Sequence, residues 1–140
     1  MGKFKCEGYF GDSPNEFDLG TPDNPFFQGT TPSLTVTVLD SAGVPVNISG
    51  ATIYLTAKAD PLDADPGLFQ LSTTNAEIVI SPQSGDTIGQ YVATFPATAT
   101  KNLSALLHYL YDSRIILAGN VQTVLFGELT LTQAITTAVS

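Results

Sequence analysis

The stretch whose reading decides the fold is residues 108–132, HYLYDSRIILAGNVQTVLFGELTLT. It contains two long apolar runs, His108 to Leu117 and Thr123 to Thr132, separated by Ala118-Gly119-Asn120. Side chains in a strand point alternately to opposite faces. Tyr111, Ser113 and Ile115 therefore point inward with Tyr109, while His108, Asp112 and Arg114 take the outer face. A one-face-apolar, one-face-polar alternation over ten residues predicts a half-buried strand. The two runs are the longest strands expected in the chain, joined by a turn.

Outward from this pair, the same period recurs. Leu34, Val36 and Val38 alternate with Thr35, Thr37 and Leu39. Asp40-Ser41-Ala42-Gly43 has turn chemistry and leads into a short run, Val44 to Ile48. Ser49-Gly50 turns into Thr52 to Ala59, where Ile53, Leu55 and Ala57 share a face. Asp60 to Gly67 reads as a loop. Leu68 to Ser72, Glu77 to Ser81 and Gln90 to Phe95 are further short strands, the last with Tyr91, Ala93 and Phe95 on one face. Leu103, Leu106 and Leu107, spaced i, i+3, i+4, predict one helical turn within Thr100 to Leu107. About seven short strands punctuated by Gly, Pro and Asp argue for an all-β, antiparallel β-sandwich. The length from 33 to 132 matches the roughly 100 residues of an immunoglobulin-like sandwich. The antibody-type Cys–Trp–Cys signature is absent, since the chain has no Trp and its one cysteine, Cys6, lies outside this region.

Composition narrows the function classes. The chain has 140 residues, 43% hydrophobic and only 13% charged, with a net charge of −8. The charged fraction is about half the usual ~25%, which excludes a disordered polyelectrolyte and a charged coiled coil. Five basic residues against thirteen acidic ones exclude nucleic-acid binding through phosphates. A lone cysteine forms no intrachain disulfide, and one Cys with one His builds no zinc site. No apolar run reaches the ~18 residues of a membrane span. Met1 to Phe10 lacks the apolar core of a signal peptide, so the expected setting is a reducing cytosol.

Residues 1–32 differ from the rest, with five of the twelve Gly, four of the nine Pro and five of the eight Phe. No period of 2 or 3.6 is sustained there. Gly and Pro break regular elements while aromatics favour burial. The segment reads as an extended arm that packs on its own domain or on a neighbour, ahead of a sandwich domain over 33–140. Its candidate partner-binding residues are Phe4, Tyr9, Phe10, Phe17, Phe26 and Phe27.

Catalytic chemistry finds little support. His108 is a solvent-facing strand residue with no Gly-x-Ser-x-Gly elbow to serve, and no glycine-rich phosphate loop is present. The chain is expected not to be an enzyme and to need no cofactor. Asp60, Asp63 and Asp65 place three carboxylates in six residues, but the closing Glu of a calcium loop is missing, so they read as a solvated acidic loop. Sugar-binding sandwiches stack saccharides on exposed aromatics. Most of Tyr9, Tyr54, Tyr91, Tyr109 and Tyr111 fall on faces assigned to the core, which makes sugar the second reading. Tyr109 and Tyr111 open the penultimate strand, where a sandwich uses a tyrosine to tie the preceding corner to the backbone. Gly127 permits a bulge or a close backbone approach.

Three segments together resemble a known family. They are Leu34 to Leu39 followed by DSAGVPVNISG at 40–50, then Leu106 with YLYDSRI at 109–115, then FGELTLT at 126–132. This order resembles the small Ig-like domains of tailed-bacteriophage virion proteins, such as baseplate and other tail accessory proteins, over about residues 30–133. Ser113 departs from the apolar residue expected at its position. The resemblance implies a structural virion component, made in the host cytoplasm and assembled in tail, baseplate or neck with other virion proteins and copies of itself. It also implies that residues 1–32 thread onto an adjacent subunit. A carbohydrate-binding module of a host-recognition fibre and a capsid decoration protein are the alternatives.

Overall fold

A computed structural model describes residues 3–105, 107–133 and 135. Leu106, which entered both the expected helical turn and the resemblance, lies outside the described residues, as do Met1 and Gly2 of the arm and residues 134 and 136–140 of the 33–140 domain.

Ten strands form among the described residues: β1 (Lys3–Tyr9), β2 (Asn15–Glu16), β3 (Phe26–Phe27), β4 (Ser33–Leu39), β5 (Thr52–Lys58), β6 (Phe69–Ser72), β7 (Ile78–Ile80), β8 (Gln90–Thr94), β9 (His108–Leu117) and β10 (Asn120–Thr132). They make two mixed sheets packed face to face, an all-β sandwich. One sheet has the order β1-β4-β8-β7. The other has the order β2-β10-β9-β5-β6, with β3 also on β10. The seven strands from β4 to β10 pair antiparallel with one another, whereas β1 runs parallel to β4 and β2 and β3 run parallel to β10.

The core follows the period-2 reading. Leu34, Val36 and Val38 of β4 meet Ile53, Leu55 and Ala57 of β5, Tyr91 and Ala93 of β8, and Ile115, Leu125 and Leu129 of β9 and β10. The register of β9 and β10 shifts between Thr123 and Leu125, so Val124 and Leu125 are both buried and the inward phase then runs Gly127, Leu129, Leu131. This bulge falls upstream of Gly127, the position where the sequence had allowed one. Ser113 is fully buried opposite Tyr91, which hands its hydroxyl across the sandwich: the two oxygens are 2.7 Å apart, and Ser113 Oγ donates to Tyr54 O at 3.1 Å. The polar residue in an apolar column is thus the partner that Tyr91 requires. A buried hydroxyl without a partner costs about 1–3 kcal/mol.

Two local expectations are corrected, and the short run Val44 to Ile48 forms no strand. Asp40 Oδ1 accepts from the amides of Ala42 and Val44 at 2.9 and 3.0 Å, Pro45 has no amide to pair, and one bridge to Leu39 is all that remains. The helical turn lies earlier than predicted, at α1 (Ala97–Thr100), because Pro96 occupies its N-cap and fixes its start. Asn120 belongs to β10 and not to the turn, so the loop is the two residues Ala118 and Gly119.

Residues 1–32 are extended, and they pack on their own chain, pairing with both sheets. All of β1 pairs with β4, from Lys3↔Ser33 to Tyr9↔Leu39. Phe4 and Phe26 are 2% and 0% exposed and stack with ring centroids 5.6 Å apart. Phe26 meets Phe95 edge-on at 5.1 Å, and Phe95 meets Phe69 at 6.0 Å. Phe4 and Phe26 are therefore core residues of their own chain and unavailable to a partner in this fold.

In the β9–β10 turn, Ala118 and Gly119 have φ of 51° and 83°, the double positive φ of a type I′ hairpin. Alanine pays a steric penalty there that Asn and Gly largely avoid. Ala118→Asn creates the favoured Asn-Gly pair and is expected to stabilise the protein by about 0.5–1 kcal/mol, read as a higher urea midpoint at unchanged m-value. A lower midpoint would contradict this turn geometry.

Candidate functional site

Residues 15–28 run along the outer edge of β10. The amides of Phe17 and Leu19 donate to Phe126 O and Glu128 O, each at 2.9 Å. Thr130 N returns a bond to Leu19 O, and Gln28 N donates to Thr132 O. The seat is made by residues singled out in the sequence. Tyr111 Oη donates to Phe17 O. Gly127 leaves the room that Phe17 fills, since a Cβ at 127 would sit 2.1 Å from Phe17 O. Asp18 Oδ1 accepts from Glu128 N at 3.0 Å. Phe10 and Phe17 pack half-buried on the core, and Tyr9 and Phe27 are likewise half-buried. None of the six residues expected to bind a partner is exposed.

Tyr109 ties its corner: its hydroxyl accepts from Ser104 N at 2.9 Å and lies 3.1 Å from Ser104 O, to which it donates. His108 is exposed, with Nδ1 3.0 Å from Thr130 Oγ1. The acidic loop is satisfied internally. Asp60 Oδ1 accepts from Leu62 N, Asp63 Oδ2 accepts from Asp60 N, and Asp65 pairs with Lys58 at 2.9 Å. Among the described residues no group of three His, Cys, Asp or Glu could hold a metal ion.

A concavity with convergent polar groups lies on the outer face of the larger sheet, a groove of about 710 Å³. Strand register lays out its floor as a grid. Gln70, Thr56, Asp112 and Phe126 form one row, and Tyr54 and Arg114 the next. Lys58 and Leu110 flank them. The 60–67 loop rises over one side, bringing Pro61 and Asp65 to the lining. Gln70 Nε2 donates to Thr56 Oγ1 at 3.0 Å. Burial pushes the Asp112 carboxyl above its ordinary range, and the Arg114 and Lys58 cations pull it back only in part. Arg114 is exposed and makes no salt bridge among the described residues.

Sequence reasoning placed Asp112 and Arg114 on the outer face but did not join them to Tyr54 and Phe126. The alternation within β5 already set Tyr54 and Lys58 opposite Ile53, Leu55 and Ala57. The register that aligns Tyr54 with Arg114 is a long-range pairing with no local sequence signal. Comparison with protein-family models and with curated proteins finds no match to this chain.

Half-buried Cys6 of β1 lies within electrostatic reach of the buried Tyr91 and Tyr111. Burial pushes the Cys6 thiol from 9.0 up to about 12, with Glu7 adding to the rise. Burial also raises the Tyr91 and Tyr111 phenols above their ordinary range. A pKa raised on folding contributes stability that is complete below the unfolded value and lost as pH climbs through the folded one. The protein is therefore expected to lose stability as pH rises from 9.0 towards about 12. Urea melts across that window should show a shallower loss for Cys6→Ala than for the wild type. Identical slopes would contradict the burial of this thiol.

Proposed function

We propose that the chain is a non-catalytic structural module of a tailed-bacteriophage virion, assembling with other virion proteins and with copies of itself through sheet faces and not through a free arm. Strand order supports an immunoglobulin-like reading. Setting aside the parallel N-terminal strands, β4-β8-β7 face β10-β9-β5-β6, and Tyr109 takes the place of a corner tyrosine. Two of the three segments that carry the resemblance also work together here, because Tyr111 and Gly127 are register partners that form one seat.

The observation that carries the assembly reading is the outer face of the four-stranded sheet. Its rows read Ser33–Thr94, Thr35–Val92–Val79 and Thr37–Gln90. It is uncharged away from Lys3, Lys5 and Glu7 on the β1 edge, and Val79 is 57% exposed. Interface centres are depleted of charge in this way.

The test is incorporation into particles. In virions assembled with the wild-type chain, the protein is expected at fixed copy number after density-gradient banding. The double variant Val79→Glu/Val92→Glu is expected to fold with an unchanged circular-dichroism spectrum and to be lost from the particles. Absence of the wild-type chain from banded particles would overturn the virion reading. Full retention of the variant would overturn the choice of face.

A further inference from the structure

We infer that the groove on the outer face of β5, β9 and β10 is a binding site for a short neutral oligosaccharide, an activity separate from the proposed assembly face on the other sheet. Its size, about 710 Å³, falls in the range of small-molecule sites, which combine apolar walls with a few convergent polar groups. Four features of the lining select the ligand class.

The first is charge balance. In a chain of net charge −8, the lining carries two cations, Lys58 and Arg114, and two carboxylates, Asp65 and Asp112. Lys58 already pairs with Asp65 at 2.9 Å. The lining itself carries no net formal charge and so does not select for an anion or a cation. The second is the chemistry of the free polar groups. Arg114 presents a planar fork of donors and Asp112 a carboxylate acceptor, adjacent along β9 on one face. Together they match the donor–acceptor pattern of neighbouring hydroxyls on a sugar ring.

The third is the pair of rings. Tyr54 on β5 and Phe126 on β10 stand two strands apart with β9 between them and in adjacent rows, a separation of roughly 12 Å from strand spacing and rise. Neither ring packs on another aromatic among the described residues, and Phe126 is 39% exposed. They flank the polar centre as apolar platforms for the C–H faces of a saccharide. The fourth feature excludes a peptide. An extended peptide is held by main-chain bonds at a sheet edge, and at the groove floor β9 is paired on both sides, by β5 and β10. Only side chains are on offer.

The test is a titration of the full-length chain with four neutral disaccharides, built from glucose, galactose, mannose or N-acetylglucosamine, followed by amide chemical shifts. At least one is expected to give saturable shifts centred on Tyr54, Arg114 and Phe126. Affinity should fall at least roughly tenfold in Tyr54→Ala and in Arg114→Ala, both outer-face changes whose folding is checked by the unperturbed shifts of core amides. Val79→Glu/Val92→Glu should bind as the wild type does, which keeps this site distinct from the assembly face. No saturable shift with any of the four sugars would overturn the assignment. So would binding that survives both groove substitutions, or tighter binding of a sulfated disaccharide than of its neutral parent.

Discussion

The parallel pairing of residues 15–28 with the edge of β10 is the constraint on which the remaining structure rests. β10 is the longest strand, and without this cover its edge would present a row of unpaired amides and carbonyls, the usual route to aggregation. The chain closes that edge with its own N-terminal segment, through the bonds of Phe17, Leu19 and Gln28 and the hydroxyl of Tyr111. The same segment starts as β1 on the opposite sheet. It therefore clamps both layers of the sandwich, and the stack of Phe4, Phe26 and Phe95 closes the core between them. Gly127 is tied to this arrangement, because any side chain there would meet Phe17 O.

Much of the fold was legible because it is local. Alternation placed Leu34, Val36 and Val38 inward and Asp112 and Arg114 outward, and the strand limits between 33 and 132 differ from the reading by a few residues at most, the largest shift being at the start of β10. What was not legible is long-range. The Phe-rich segment has no period, so nothing in it announces that β1 lies parallel to β4 or that Phe26 reaches Phe95. Partner anchors and core anchors share one composition, and only the register tells them apart. Ser113 was placed inward, where it lies, but its partner was hidden for a related reason. Its neighbour along the chain is irrelevant, and its partner Tyr91 is on the other sheet. The groove likewise depends on pairing Tyr54 with Arg114 and Asp112 with Phe126, which the individual strands do not reveal.

The two outer sheet faces differ. One is flat and filled with Thr, Ser, Gln and Val. The other is concave and holds Lys58 and Arg114, two of the five basic residues in the chain. A low overall charge thus separates into an uncharged face suited to permanent cover by protein and a balanced, polar groove suited to a neutral ligand. The loop beside the groove is turned by its own Asp60 and Asp63 bonds and meets the sheet through the Lys58–Asp65 pair.

The central claim is that the N-terminal segment is an integral layer of this sandwich. Native-state amide hydrogen exchange on the isolated full-length chain tests it most directly. The account predicts that the amides of Phe17, Leu19 and Gln28, which donate to β10, are protected to the same degree as those in the middle of β9. Exchange of these amides at the rate of an unstructured chain, with β9 still protected, would contradict it and return residues 1–32 to the role of a free arm.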